Sequence, residues 1–258
     1  ATILTSARPS RNDIITNNWF DPAMTRPSKQ VYCAEDENNP ASAPGRPVVS
    51  AVHLKVPTLG DRLKAANPEA RNVAVSAKDR SVMMMGGQAI DAAYWWRAGA
   101  FATLDGRDMS PAAVAANRAA AATIAKGAGG FPLPRWCAGL ASVSAGRFAV
   151  AGGNVGNFTT SPRMDAAVAS LALALVDEQL LGRDAVTDVL SVGLSATDVI
   201  GHSIGPGSQE MCIQMAELDR TIGRLLTELD KRKIDYMVVL TADHGGLDVV
   251  ERLQQQAY

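Results

Sequence analysis

Asp188-Val-Leu-Ser-Val-Gly-Leu194 runs directly into Ser195-Ala-Thr-Asp198-Val-Ile-Gly-His202, and this junction decides the fold. The first half is a short apolar run rich in β-branched residues, which reads as a strand. The second half carries polar, chemically active side chains at a spacing of four. Ahead of the junction, Ser161-Pro162 opens a helix with Met164, Val168, Leu171, Leu175 and Val176 on one face, ended by Gly182. Behind it, Ser208 caps a second helix in which Met211, Met215, Leu218, Ile222, Leu225 and Leu229 step by three and four. Tyr236–Leu240 then reads as a further apolar strand. Helix and strand alternate, which predicts an α/β domain with a largely parallel central sheet flanked by helices.

The same grammar extends backward with less regularity. Thr58 caps a helix through Leu59, Leu63 and Ala66, and Asn72–Ser76 reads as a buried strand. Ala92–Trp96 is a further strand. Ser110-Pro111 opens an Ala-rich helix that runs to Gly127. Residues 81–160 read as an inserted cap region within a single domain spanning 1–258. The first fifty residues are rich in Pro, Asn, Asp and Ser and read as turns.

Bulk properties exclude several classes. Twenty-five basic residues face 26 acidic ones, for a net charge of -1. No overall field draws the chain to nucleic acid or to an anionic membrane. The longest apolar run, Ala166 to Val176, falls short of the ~20 residues a spanning helix needs. The three cysteines, Cys33, Cys137 and Cys212, form no CxxC pair, so a thiolate zinc site is not expected. Their number leaves room for one disulfide without choosing its partners.

Two clusters follow strands, where open parallel sheets bind ligands. Asp198 and His202 are four apart, so a single turn of helix or a tight loop brings them to one side. Thr241-Ala-Asp243-His244-Gly245-Gly246 follows Leu240, and its glycines let the chain turn so that adjacent donors converge. Carboxylate oxygen and imidazole nitrogen are the donors zinc accepts. A bland alternative exists for each pair taken alone, as a capping or hydrogen-bonding pair. The third histidine, His53, reads as structural. Lys78 and Arg80, two apart after the Asn72–Ser76 strand, would share a face in an extended segment. Two cations there suit a phosphoryl or sulfuryl group, whereas the plain alternative is a solvated basic loop. Asn17-Asn18-Trp19 offers amides to an oxyanion, and its plain alternative is a turn with a buried aromatic.

Ser195-Ala-Thr-Asp198-Val-Ile-Gly-His202-Ser-Ile-Gly-Pro206 together with Leu240-Thr-Ala-Asp243-His244-Gly-Gly resembles the alkaline phosphatase superfamily. The closest likeness is to its bacterial threonine-nucleophile branch, related to nucleotide pyrophosphatase/phosphodiesterases. Ile14-Ile-Thr-Asn17-Asn-Trp-Phe-Asp21 and Lys78-Asp-Arg80 fit that branch as well.

The resemblance implies two zinc ions, with Asp198 and His202 on one and Asp243 and His244 on the other. It implies that Asn17, Lys78 and Arg80 bind the phosphoryl oxygens of small phosphate monoesters, and that the protein is periplasmic or secreted. It also implies a threonine nucleophile and further ligands outside these 258 residues. On that basis the chain is expected to be an internal fragment, inactive and poorly soluble by itself. Two alternatives accompany this reading. One is a phosphodiesterase or phosphonate hydrolase of the same superfamily. The other is a non-catalytic zinc- or phosphate-binding protein.

Overall fold

The computed structural model describes residues 1–140 and 146–256. In chain order the elements begin with two single-turn helices, α1 (Thr2–Thr5) and α2 (Pro9–Asn12), and a small antiparallel pair, β1 (Asn18–Phe20) and β2 (Gln30–Tyr32). There follow α3 (Leu59–Ala66), β3 (Asn72–Ser76), α4 (Asp79–Gly86), β4 (Ala92–Arg97), β5 (Ala100–Ala102) and α5 (Pro111–Lys126). The remainder is α6 (Val155–Thr159), α7 (Pro162–Glu178), β6 (Val189–Gly193), α8 (Ala196–Ile204), α9 (Gln209–Lys231) and α10 (Val250–Gln256), with two short 3-10 turns between α5 and α6.

Four strands make one sheet in the order β5-β4-β3-β6. β3 pairs in parallel with both β4 and β6, setting Ser76 beside Trp95 on one side and Gly193 on the other. All five residues of β3 are buried, as expected of a strand covered on both faces. Residues 92–97 belong to the 81–160 stretch expected as an inserted cap, yet they form β4, a strand of the sheet itself. Five of its six residues are buried, which the run Ala-Ala-Tyr-Trp-Trp makes favourable.

The chain divides into two compact units that interleave in sequence. The first comprises Ala1–Arg97, Phe101–Ala113 and Ala174–Gly193. Its core packs Leu54, Ala74, Val82, Met83, Ile90, Ala93 and Trp95, with Cys33 as a buried free thiol. Burial pushes that thiol up to about 11, which makes it inert at neutral pH. The second unit comprises Ala98–Ala100, Val114–Leu173 and Leu194 onward. Within it Met164, Val168, Leu171, Ile200 and Ile213 are buried, and a disulfide joins Cys137 to Cys212.

Several elements follow directly from local chemistry. Thr58 and Asp61 form a reciprocal capping box at the start of α3, worth about 1 kcal/mol. Ser208 Oγ accepts the Met211 N–H at 3.0 Å and starts α9. Ser110 Oγ accepts the Ala113 N–H at 3.3 Å at the start of α5. α7 ends earlier than Gly182 suggests. Its last helical residue is Glu178, and Leu180 takes the left-handed turn at φ 55°. The Leu181 N–H then bonds back to the Val176 carbonyl at 2.9 Å, which satisfies the helix end without glycine.

One expected strand does not form. Tyr236–Leu240 lies outside every strand described, with Val239 77% and Leu240 72% exposed. β-branched residues make a strand only where a neighbouring backbone completes the ladder, and none of the described strands pairs with them. No described helix is long and apolar enough to cross a membrane.

Candidate metal and phosphate site

α8 begins directly after β6, with Ser195 at its N-cap. It puts Asp198 in its first turn and His202 in its last, so the spacing of four becomes a shared face. His202 Nε2 lies 3.4 Å from Asp198 Oδ1. The helix stops at Gly205, whose φ of 80° is a conformation glycine adopts without strain.

The second cluster is a loop. The Asp243 carboxylate accepts the His244 N–H at 3.1 Å, and His244 Nδ1 meets the Gly245 carbonyl at 2.8 Å. This leaves His244 Nε2 turned toward the first cluster, 3.6 Å from Asp198 Oδ1 and 3.6 Å from Asp243 Oδ2. The structure thus gathers all four expected donors within the second unit, with Asp198 Oδ1 common to both histidines.

Sequence reasoning did not anticipate what fastens the two clusters. Asp248 and Arg252 form an ion pair with Arg252 Nε 2.6 Å from Asp248 Oδ2. The Gly207 N–H donates to Asp248 Oδ1 at 3.3 Å, and Arg252 donates to the Ile204 carbonyl. The guanidinium holds the Asp248 carboxyl well below the usual carboxylate range. A side chain at Gly205 would strike Asp248, so the turn after α8 and the segment after His244 close on each other only with glycine there.

Two carboxylates and two imidazoles are a zinc donor set. Two ligands of a tetrahedral zinc stand about 3.4 Å apart, near the 3.4 Å between His202 Nε2 and Asp198 Oδ1 and the 3.6 Å between His244 Nε2 and Asp243 Oδ2. Among the described residues no group of three His, Cys, Asp or Glu side chains is arranged to hold a metal ion. The match therefore extends to donor type and to pairs.

Asn17, Lys78 and Arg80 belong to the first unit. Lys78, itself in an extended conformation, is the N-cap of α4, and Arg80 lies in the helix's first turn. The shared-face expectation from strand periodicity is thus corrected, because the helix begins at Asp79. The Asp79 carboxylate accepts the Arg80 N–H at 2.6 Å and the Tyr32 hydroxyl at 2.6 Å. Burial and this bond to Asp79 push the Tyr32 phenol up. Next to Tyr32, the Cys33 N–H donates to the Asn17 carbonyl at 2.9 Å. One web of bonds therefore ties the exposed Asn17 to the start of α4, whose positive dipole end favours an anion. His53 meets Glu37 Oε2 at 2.7 Å and the Trp19 ring edge-on at 5.0 Å, the structural role expected of it.

The type I phosphodiesterase/nucleotide pyrophosphatase family matches residues 1–257. The chain belongs to that family. Alkaline phosphatase PhoK of a Sphingomonas species is 45% identical over 267 residues, covering all of this chain and 48% of that protein. Alkaline phosphatase PhoD of Zymomonas mobilis is 39% identical over 262 residues, covering 98% of this chain and 45% of that protein. The crystal structure of wild-type alkaline phosphatase PafA superposes with a TM-score of 0.82 at 26% identity, over 99% of this chain and 54% of that one. This family member therefore has the alkaline phosphatase fold and spans about half the length of the relatives it matches.

Proposed function

We propose that this chain carries the zinc-binding and phosphate-binding portion of a phosphate monoesterase acting on small phosphate esters. The observation that carries the reading is the convergence of His202 and His244 on one oxygen of Asp198. Asp198 and His202 would hold one zinc, and Asp243 and His244 a second. When bound, zinc supplies Lewis acidity and lowers the pKa of a coordinated hydroxyl. The nucleophile is proposed to be a threonine that becomes phosphorylated in turnover, placed by the resemblance outside these 258 residues.

The chain's own groups do the remaining work. Lys78 and Arg80 neutralise charge on the non-reacting phosphoryl oxygens, and the Asn17 amide donates to a third. Asp79, fixed by Tyr32, holds the start of α4 so that the two cations stay together. A monoester carries one more negative charge than a diester, so a Lys78–Arg80 pair favours the monoester.

The family's description as phosphodiesterases supports a second reading, a diesterase using the same zinc donors. Rates of the intact protein on aryl phosphate and bis-aryl phosphate separate the two. Faster monoester turnover that falls selectively in Lys78→Ala supports the first reading. Faster diester turnover, indifferent to Lys78, supports the second. Zinc and phosphate binding without turnover of either ester would mark a non-catalytic binder.

We also propose that the protein works outside the cytoplasm. The Cys137–Cys212 disulfide supports this, since such bonds persist in oxidising compartments. Thiol trapping in intact cells that finds both cysteines alkylated would contradict it.

A further inference from the structure

The first turn of α8 is held by a buried carboxylate that phosphate chemistry does not use. Asp165, near the start of α7, is 1% exposed. Its Oδ1 accepts the Ala196 N–H at 3.0 Å, and its Oδ2 accepts the Gln214 side-chain amide at 2.9 Å. The same Gln214 nitrogen donates to Thr197 Oγ1 at 3.1 Å. All of these residues lie in the second unit.

Two features show that this arrangement is specified. Ser195 occupies the N-cap of α8 but makes no side-chain capping bond, so a distant carboxylate takes the place of a local one. Gln214 is fully buried, and its Oε1 has no partner among the described residues. Turning that amide over would face its oxygen to the Asp165 carboxylate and lose both donor bonds. Gln214 therefore has one useful orientation, and Asp165 must present an acceptor to it and another to α8. Burial pushes the Asp165 carboxyl up to about 6, while the N–H groups around it draw the value back. At neutral pH it remains the double acceptor that this geometry requires.

We propose that Asp165, oriented by Gln214, is the positioning residue for the Asp198–His202 pair. It caps α8 from inside the fold and sets the rotation and tilt with which the helix presents its two donors. The ligand role of those donors rests on the function proposed above. The capping role does not.

The test uses the intact protein in four forms: the parent, Asp165→Asn, Gln214→Glu, and the two changes combined. Gln214→Glu sets carboxylate facing carboxylate, and Asp165→Asn replaces one of the two acceptor oxygens with an NH2 donor, which Gln214 can meet only by turning its amide over and giving up its donor bonds. The double change restores a donor facing an acceptor with the roles exchanged. Amide hydrogen exchange is read in residues 195–204 and, as control, in residues 72–76 of β3. Zinc affinity is read by competition with a chromophoric chelator.

The expected result is faster exchange in α8 alone and a roughly 10–100-fold loss of zinc affinity in each single variant, with both largely recovered in the double. Unchanged α8 exchange in the single variants overturns the proposal. So does equal acceleration in β3, which marks general destabilisation, or a double variant no better than its parents. If the parent itself binds no zinc, the zinc reading fails. The exchange pattern then still decides the capping role.

Discussion

His244 brings its Nε2 to 3.6 Å from Asp198 Oδ1, although the two residues come from separate motifs. Two imidazoles converging on one carboxylate oxygen bring the two donor pairs side by side, the arrangement that the proposed zinc site requires. Asp198→Ala removes the shared oxygen. A loss of zinc affinity of more than about 100-fold is expected, larger than removal of an outer partner causes. Equilibrium dialysis against zinc, with Asp219→Ala on the exposed side of α9 as a control, measures it.

Lys78 and Arg80 stand at the start of α4 beside a carboxylate that the Arg80 N–H already engages. Arg80→Ala is expected to lower monoester kcat/KM by about 100- to 1000-fold, the usual effect of removing one donor to developing charge. Diester turnover should fall by much less. Steady-state rates on the two substrate types check the difference.

The Asp165 carboxyl gives a pH signature. Its value is raised from 3.8 to about 6, so the folded protein keeps this proton where the unfolded chain has released it. The stability it contributes is fully present below about pH 4, is lost as pH rises through 6, and stays lost above. The size is on the order of 3 kcal/mol. Urea unfolding of the parent and of Asp165→Asn between pH 4 and 7 should show the parent losing ground over that window. A difference independent of pH would contradict this.

The Cys137–Cys212 disulfide closes a separation of 75 residues. Loop-closure entropy puts its stabilisation at about 4 kcal/mol. Cys212→Ser, or reduction of the parent, is expected to lower the thermal midpoint by several degrees. Scanning calorimetry with and without reductant measures this.

Much of this was legible because local chemistry settled it. Thr58 and Ser208 announced their helices through caps that need only neighbouring N–H groups. β3 announced itself by five consecutive residues suited to burial on both faces. Asp198 and His202 were legible as a pair because a spacing of four brings them to one side on a helical turn or in a tight loop, and the structure shows the helix. What failed depends on distant atoms. Tyr236–Leu240 has the composition of a strand but no paired neighbour in the described sheet. A shared face for Lys78 and Arg80 needed the extended conformation to continue through Arg80, and nothing in Lys-Asp-Arg reveals that α4 begins at Asp79. Asp165 reads in sequence as an ordinary acid in a first helical turn. Only the folded chain shows that it reaches Ala196 and Gln214. The Asp248–Arg252 pair was hidden for the same reason, although its spacing of four on the way into α10 was a signal available to find it.

The exposed apolar run Met237–Leu240, with Leu247 and Val250, gives the 258-residue chain a surface that should bind a hydrophobic dye and promote association. Val239→Lys with Leu240→Lys is expected to reduce both. Dye fluorescence and light scattering on the purified chain measure the change.

The most direct test is phosphate-monoester hydrolysis by the intact protein before chelation, after chelation, and after zinc is restored, with bound zinc counted at each stage. The expected result is turnover that disappears with the metal and returns with it, in the parent but not in Asp198→Ala. Turnover that persists in fully metal-free protein, or that survives loss of Asp198, would contradict the assignment.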